Sequence, residues 1–180
     1  MTLRDEFTDF ARWCDGTSPL YAKLSRAVAD GPDDLLAVAG AVPDDQPAPN
    51  NLFAAVHALL LDGSEHELRE WYPSVVGDAA RDPAEADPGP AFVGFLRAHE
   101  ARVRELVATR RTQTNAVGRC SVLYPAFARV AAQVDGPLAL VEVGASAGLN
   151  LLFDRYGYRY ETADGGQSAG VDDSPVTVAA

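Results

Sequence analysis

The sequence predicts a mainly α protein: an N-terminal helical bundle over residues 1–135, followed over 136–180 by the first βαβ portion of a Rossmann-like α/β domain. Three observations predict it. Apolar residues recur at helical spacing, with stop and start residues between the runs, as far as about Val134. The pattern changes at Gly136-Pro137, where Leu138 to Val143 is short and almost uniformly apolar, as in a buried parallel strand. A Gly-Ala-Ser-Ala-Gly turn, a renewed helical period and a second strand-like run, Tyr158 to Thr162, then complete a βαβ order.

Taken in order, Thr2 caps a first helix with Asp5 as its box partner, Leu3, Phe7, Phe10 and Cys14 share a face, and Gly16 ends it. Ser18-Pro19 restarts the chain as N-cap and first-turn proline, and Leu20, Leu24 and Val28 form a stripe before Gly31. A short helix covers Asp33 to Ala41. Three prolines between Pro43 and Pro49 then enforce a loop. Asn50 or Asn51 opens a helix to about Asp62 that is apolar around most of its circumference and therefore central. Glu65 to Tyr72 is a helix closed by Pro73, and Arg81 to Pro90 a second loop. Phe92, Phe95, Leu96, His99, Val103 and Leu106 mark one long helix, and Val122 to Val134 another. Leu149, Leu152, Phe153 and Tyr156 give the crossover helix, beginning near Ala147 and stopping at Gly157. A short strand at Val176 to Val178 lies in a Gly/Asp/Ser-rich tail.

The longest nearly unbroken apolar run, Leu52 to Leu61, interrupted by His57, is far short of the roughly 20 residues a membrane-spanning helix needs, so no membrane partner is expected. A net charge of −11 argues against nucleic acid as a general partner. Lys23 is the single lysine and aspartates outnumber glutamates, a halophile-type or GC-rich-genome signature. Cys14 and Cys120 have no metal or disulfide spacing and read as buried thiols of a cytoplasmic protein. The three histidines, His57, His66 and His99, have no paired ligand spacing, so no metal site is expected.

The turn Gly144-Ala145-Ser146-Ala147-Gly148 admits two chemistries. Read as G-x-S-x-G it is a nucleophile elbow with Ser146 as the nucleophile, but no histidine follows Ser146 along the chain. Read as a cofactor loop it explains more. Gly144 permits the sharp exit from the strand, Ala145 and Ala147 let a ligand approach the backbone, and Gly148 allows close helix–strand packing. Glu142 is then placed to accept a hydrogen bond from a cofactor's ammonium group. An acid, an apolar residue and a glycine loop resemble motif I of the S-adenosylmethionine-dependent methyltransferases, with Ser146 in place of the usual middle glycine.

Ser18-Pro19-Leu20-Tyr21, Pro49-Asn50 with Ala55-Val56-His57, Tyr72-Pro73, Arg110 to Cys120 and Val141 to Leu152 stand out as motifs. Together they resemble one family of bacterial and archaeal proteins, the domain of unknown function 2332. The resemblance implies a helical region joined to a methyltransferase-like Rossmann domain, with S-adenosylmethionine as cofactor and an unknown methyl acceptor. Members are considerably longer, and a complete sheet of this kind needs about seven strands in ~200 residues, whereas fewer than 50 residues follow Gly136. The chain is accordingly expected to be truncated, inactive alone and inclined to self-associate through the incomplete sheet.

The expected cofactor contacts are Glu142, Gly144, Ala145, Ser146, Ala147, Gly148 and Asn150, with Asp164 as the ribose-binding acid about 20 residues beyond the loop. Arg111, Gln113, Asn115 and Arg119 are candidates for an anionic or polar substrate; the alternative is an inter-helix loop whose polar groups cap helix ends. His57 is either a core histidine or the catalytic base of a substrate cavity. The competing function class is a non-catalytic helical binding or interaction module.

Overall fold

The computed structural model describes residues 1–113, 116–163 and 165–180. The chain forms two compact units, Met1–Thr112 and Gln113–Ala180.

The first unit is helical. α1 (Leu3–Cys14) begins with the expected capping box: the Thr2 hydroxyl accepts from the Asp5 amide at 3.2 Å, and the Thr2 amide donates to the Asp5 carboxylate at 2.8 Å. Gly16 follows at φ +81°, which an L side chain adopts only with strain. α2 (Pro19–Ala29) packs against α1, and the buried Ser25 hydroxyl donates to the Phe7 carbonyl at 2.8 Å across that contact. Ser18 occupies the N-cap position without a side-chain cap bond, so Pro19 with its preset φ does most to start this helix. α3 (Asp33–Ala39) is short.

α4 (Ala48–Leu61) starts two residues earlier than its asparagines suggest, because Pro49 is tolerated in a first turn, where its missing N–H costs nothing. It is the central helix. Leu52, Phe53, Val56 and Leu60 are buried, and the helix touches α1, α3 and α7. Phe53 is the hub of an aromatic cluster, with ring centroids 5.4–6.0 Å from Phe7, Phe10, Tyr21 and Phe92. Such pairs add about 0.5–1.5 kcal/mol each beyond area burial.

Glu67–Trp71 is a 3₁₀ turn and not a longer helix; the His66 ring caps it, Nδ1 accepting from the Leu68 amide at 3.1 Å. α5 (Pro73–Val76) is a single turn. The long helix expected around Phe92 to Leu106 is two, α6 (Gly89–Ala98) and α7 (Glu100–Thr109). The break is at His99, which leaves helical geometry (φ −120°, ψ 19°) while its ring stacks on Phe95 at 4.2 Å.

α8 (Cys120–Ala131), read from the sequence as part of the bundle, folds instead with the second unit. The sequence-based boundary at 135/136 therefore falls inside that unit. β1 (Gly157–Thr162) pairs antiparallel with β2 (Gly165–Gly170) and parallel with β3 (Thr177–Ala179), giving the order β2-β1-β3. Tyr156, Tyr158 and Tyr160 share one face by the two-residue period of extended chain. Their hydroxyls donate to the carbonyls of Leu149, Phe153 and Ser121 at 2.6, 2.6 and 2.9 Å. Gly170 (φ +81°) lies so close to the Tyr156 carbonyl that a Cβ there would sit 2.2 Å from the oxygen.

Two expectations for this unit are corrected. Leu138 to Val143 is not a strand: both neighbours of β1 are already β2 and β3, no described segment pairs with the apolar run, and Val141 and Val143 are 90% and 95% exposed. The segment after the loop is a 3₁₀ stretch, Leu149–Arg155, and not an α-helix. The Tyr156 hydroxyl holds the carbonyl of Leu149, which an α-helix would reserve for the amide of Phe153. The result is a mainly helical protein with a helical bundle and a small, open, mixed sheet.

Candidate functional site

A hollow in the first unit has a volume of about 520 Å³, within the range of small-molecule sites. Tyr21 reaches it from α2, His57 from α4, Trp71 and Tyr72 from the 3₁₀ turn and its end, Ser74 from α5, and Arg81 from the following loop. Three of the stretches named above, Ser18 to Tyr21, His57 and Tyr72-Pro73, thus meet around one space although about 55 residues separate their ends.

Each wall has a local cause. The Tyr72-Pro73 step ends the 3₁₀ turn, because a residue before proline is driven from helical to extended geometry (Tyr72 φ −111°, ψ 104°). That turn of the chain sets the Tyr72 ring against His57 (centroids 4.9 Å apart) and brings the Ser74 hydroxyl within 2.6 Å of His57 Nε2. Arg81 lies over the Trp71 indole, 5.0 Å from its centroid, and pairs with Glu70 at 3.3 Å. Burial pushes the His57 imidazole below the ordinary histidine range, so it is neutral at pH 7. Burial, and secondarily the neighbouring Tyr21 phenol, raises Tyr72 well above the ordinary phenol. The Trp71 Nε1–H is buried and has no acceptor, and the Tyr72 hydroxyl, with the Tyr21 phenol beside it, lacks a well-formed hydrogen bond. An unpaired buried donor costs about 1–3 kcal/mol.

A second hollow of about 600 Å³ is shallower and acidic, lined by Glu6, Asp9, Phe10, Trp13, Asp44 and Asp45. Asp45 is already paired with Arg111, and the hollow holds no buried unpartnered group.

In the second unit the backbone of the loop takes left-handed conformations at Gly144 (φ +73°), Ser146 (φ +53°) and Gly148 (φ +73°). Among the described residues Ser146 is the one non-glycine with positive φ. The Gly148 amide donates to the Ala145 carbonyl at 2.8 Å, so Ala145 to Gly148 is a tight turn. Ala147 and Ser146 are exposed. The Glu142 carboxylate accepts from the Asn150 amide at 2.9 Å through one oxygen, while the other is buried without a partner. Asn150 in turn accepts from the buried Cys120 thiol at 3.5 Å; burial, then the Glu142 charge, pushes that thiol up. The adjoining cavity, lined by Leu123, Phe127, Leu140 and Phe153 among others, is only about 130 Å³, below the size of sites that enclose a nucleoside.

The candidate substrate residues are not brought together as a set. Arg111 pairs with Asp45, and its neighbour Thr112 bonds Gln46 and Asn51, all within the first unit. Gln113 belongs to the second, its amide donating to the Gly144 carbonyl at 3.3 Å. Arg119 is exposed at the start of α8. Asn115 and Asp164 lie outside the described residues. Among the described residues, no three His, Cys, Asp or Glu side chains group closely enough to hold a metal ion, and no helix is long and apolar enough to cross a membrane. Ser74 and Trp71 had no periodic or motif signal of their own; the nearest hint was the Tyr72-Pro73 pair between them.

The fold and its cavities define a helical-bundle protein with an aromatic-walled hollow and a small appended sheet. The chain belongs to the family described as uncharacterized protein conserved in bacteria (DUF2332), whose model matches residues 4–180. No curated protein and no solved structure matches it.

Proposed function

We propose that the helical unit binds a small apolar compound carrying a carbonyl or carboxylate, held in the cavity around His57. The observation that carries this reading is the 520 Å³ hollow itself, walled by Tyr21, Trp71 and Tyr72 and lined also by the Arg81 guanidinium and the Ser74 hydroxyl. Tyr21, Trp71 and Tyr72 supply apolar faces, and Arg81, with Ser74, supplies donors for the acceptor group. Calorimetric titration with 3-phenylpropionate tests it. Saturable binding is expected, weakened roughly tenfold or more by Arg81→Gln, which removes a charge-assisted hydrogen bond worth about 1.5–3 kcal/mol. No heat from the wild-type chain, or equal affinity in both, contradicts the reading.

A second reading rests on Glu142. Its unpartnered oxygen beside the left-handed turns supports a methyltransferase-like cofactor loop, with a donor group of S-adenosylmethionine as its partner and Gly144 to Gly148 offering backbone contact. The fit is partial, because the 130 Å³ cavity does not enclose the nucleoside; strands that pair with Leu138 to Val143 would have to complete it. Titration of S-adenosylmethionine separates the outcomes. Micromolar binding abolished by Glu142→Ala supports the cofactor loop, and its absence in this chain leaves the cavity reading standing alone.

A further inference from the structure

The cavity holds more than binding groups, and the following rests on the cavity reading. We propose that Ser74 is a nucleophile and His57 its general base, so that the helical unit hydrolyses small carboxylic esters with an apolar acyl or aromatic part.

The geometry is the main argument. Ser74 Oγ stands 2.6 Å from His57 Nε2, inside the reach required for proton transfer. The two groups come from different elements, α5 and α4, and line the same hollow. Ser74 is exposed, so an ester can approach it, while His57 is half-buried and its ring is held against Tyr72. A neutral imidazole is the form that accepts a proton. With Nδ1 carrying the ring proton, Nε2 is free to accept from the serine hydroxyl. None of the described hydrogen bonds involves His57 Nδ1, so the arrangement is a two-residue one without an orienting carboxylate.

The polar groups left over in the cavity suit the same chemistry. Attack on an ester develops negative charge on the carbonyl oxygen, and preorganised donors are what stabilise it. The Arg81 guanidinium, exposed and lining the same hollow, is such a donor. The apolar rings of Tyr21 and Tyr72 take the acyl or aromatic portion.

The step balances without a further reagent. Ser74 Oγ forms a bond to the carbonyl carbon as its proton passes to His57 Nε2. The tetrahedral intermediate collapses, the ester C–O bond breaks, and the departing alkoxide takes the proton from His57. Water then attacks the acyl-serine with His57 again as base, releasing the acid and restoring Ser74. Ser146, the serine that the G-x-S-x-G pattern singles out, has no part in this.

The experiment treats the full chain with a fluorophosphonate and with 4-nitrophenyl butyrate, beside the 3-phenylpropionate titration. Stoichiometric labelling mapped to Ser74, and release of 4-nitrophenolate, are expected. Ser74→Ala should abolish both in a chain that still folds by circular dichroism. His57→Gln, checked for folding by circular dichroism, should slow labelling 10²- to 10⁴-fold. The wild-type rate should rise with pH across a transition below the ordinary histidine value. No labelling by a chain that still binds 3-phenylpropionate overturns the ester chemistry and leaves the binding reading intact. Labelling at Ser146, or at Ser74 with the same rate in a folded His57→Gln variant, also overturns it. Loss of both labelling and binding overturns the two readings together.

Discussion

A single histidine shows how burial becomes a measurable property. His57 is half-buried among Tyr72, Ser74 and the rest of the cavity wall, and that burial lowers its affinity for a proton. In the unfolded chain the same ring titrates near 6.5. As the pH falls below that value the unfolded state binds the proton first, so protonation pulls the equilibrium away from the folded state. The contribution of His57 is therefore fully present above about pH 6.5 and is lost between there and the lower folded-state pKa. Thermal melts at steps from pH 8 to 5.5 should show the wild-type protein losing stability faster than His57→Gln towards the acid end. The variant will be offset at every pH, because it also changes the contact with Ser74, so the slope is the readout. Parallel slopes would mean that His57 titrates as it does in water.

At the scale of elements, α8 and β1 illustrate a local defect repaired from a distance. Pro125 stands inside α8 and has no amide to offer the Ser121 carbonyl four residues earlier. The Tyr160 hydroxyl, from the middle of β1, donates to that carbonyl at 2.9 Å. Tyr160→Phe keeps the ring and leaves the carbonyl of a buried serine unpaired, so a destabilisation of about 1–3 kcal/mol is expected by urea denaturation. Restoring the helix's own bond with Pro125→Ala should reduce that cost in the double variant. Additivity of the two substitutions would disprove the link. This pairing also marks what the sequence could and could not reveal. The capping box at Thr2 and Asp5, the stop at Gly16 and the central α4 were legible because caps, glycines and helical periods act within a few residues. The cavity was half legible: His57 was singled out, while Ser74 and Trp71 were invisible because only folding brings positions 57 and 74 within 2.6 Å. Leu138 to Val143 misled for the opposite reason. An apolar run has the composition of a buried strand, but a ladder needs a neighbour, and β1 already has two. β2, rich in glycine and without apolar alternation, carried no strand signal and forms only because Gly157 to Thr162 lies beside it.

For the molecule as a whole the dominant electrostatic fact is an excess of 11 negative charges, with a pI near 4.6. Its arginines do make ion pairs, among them Arg4–Asp33, Arg26–Asp15 and Arg104–Glu100, but both partners are substantially exposed in each. Exposed pairs contribute about 0–1 kcal/mol apiece. Against them stands the excess of carboxylates, 26 acidic residues against 15 lysines and arginines, with adjacent acids such as Asp172-Asp173, whose repulsion is larger in the compact state than in the expanded chain. Salt screens both. Raising the ionic strength from 0.1 M to 1 M shortens the screening length from about 10 Å to about 3 Å. Contacts at hydrogen-bond distance survive that change better than repulsion spread over the surface, so the net effect is stabilising. The melting temperature should rise by several degrees between 0.05 M and 1 M potassium chloride at pH 7.5. The rise should shrink as the pH is brought down towards the pI and the excess charge is neutralised. A melting temperature that falls with added salt would show the ion pairs outweighing the repulsion, and would remove the basis for reading the acidic surface as an adaptation to saline solvent.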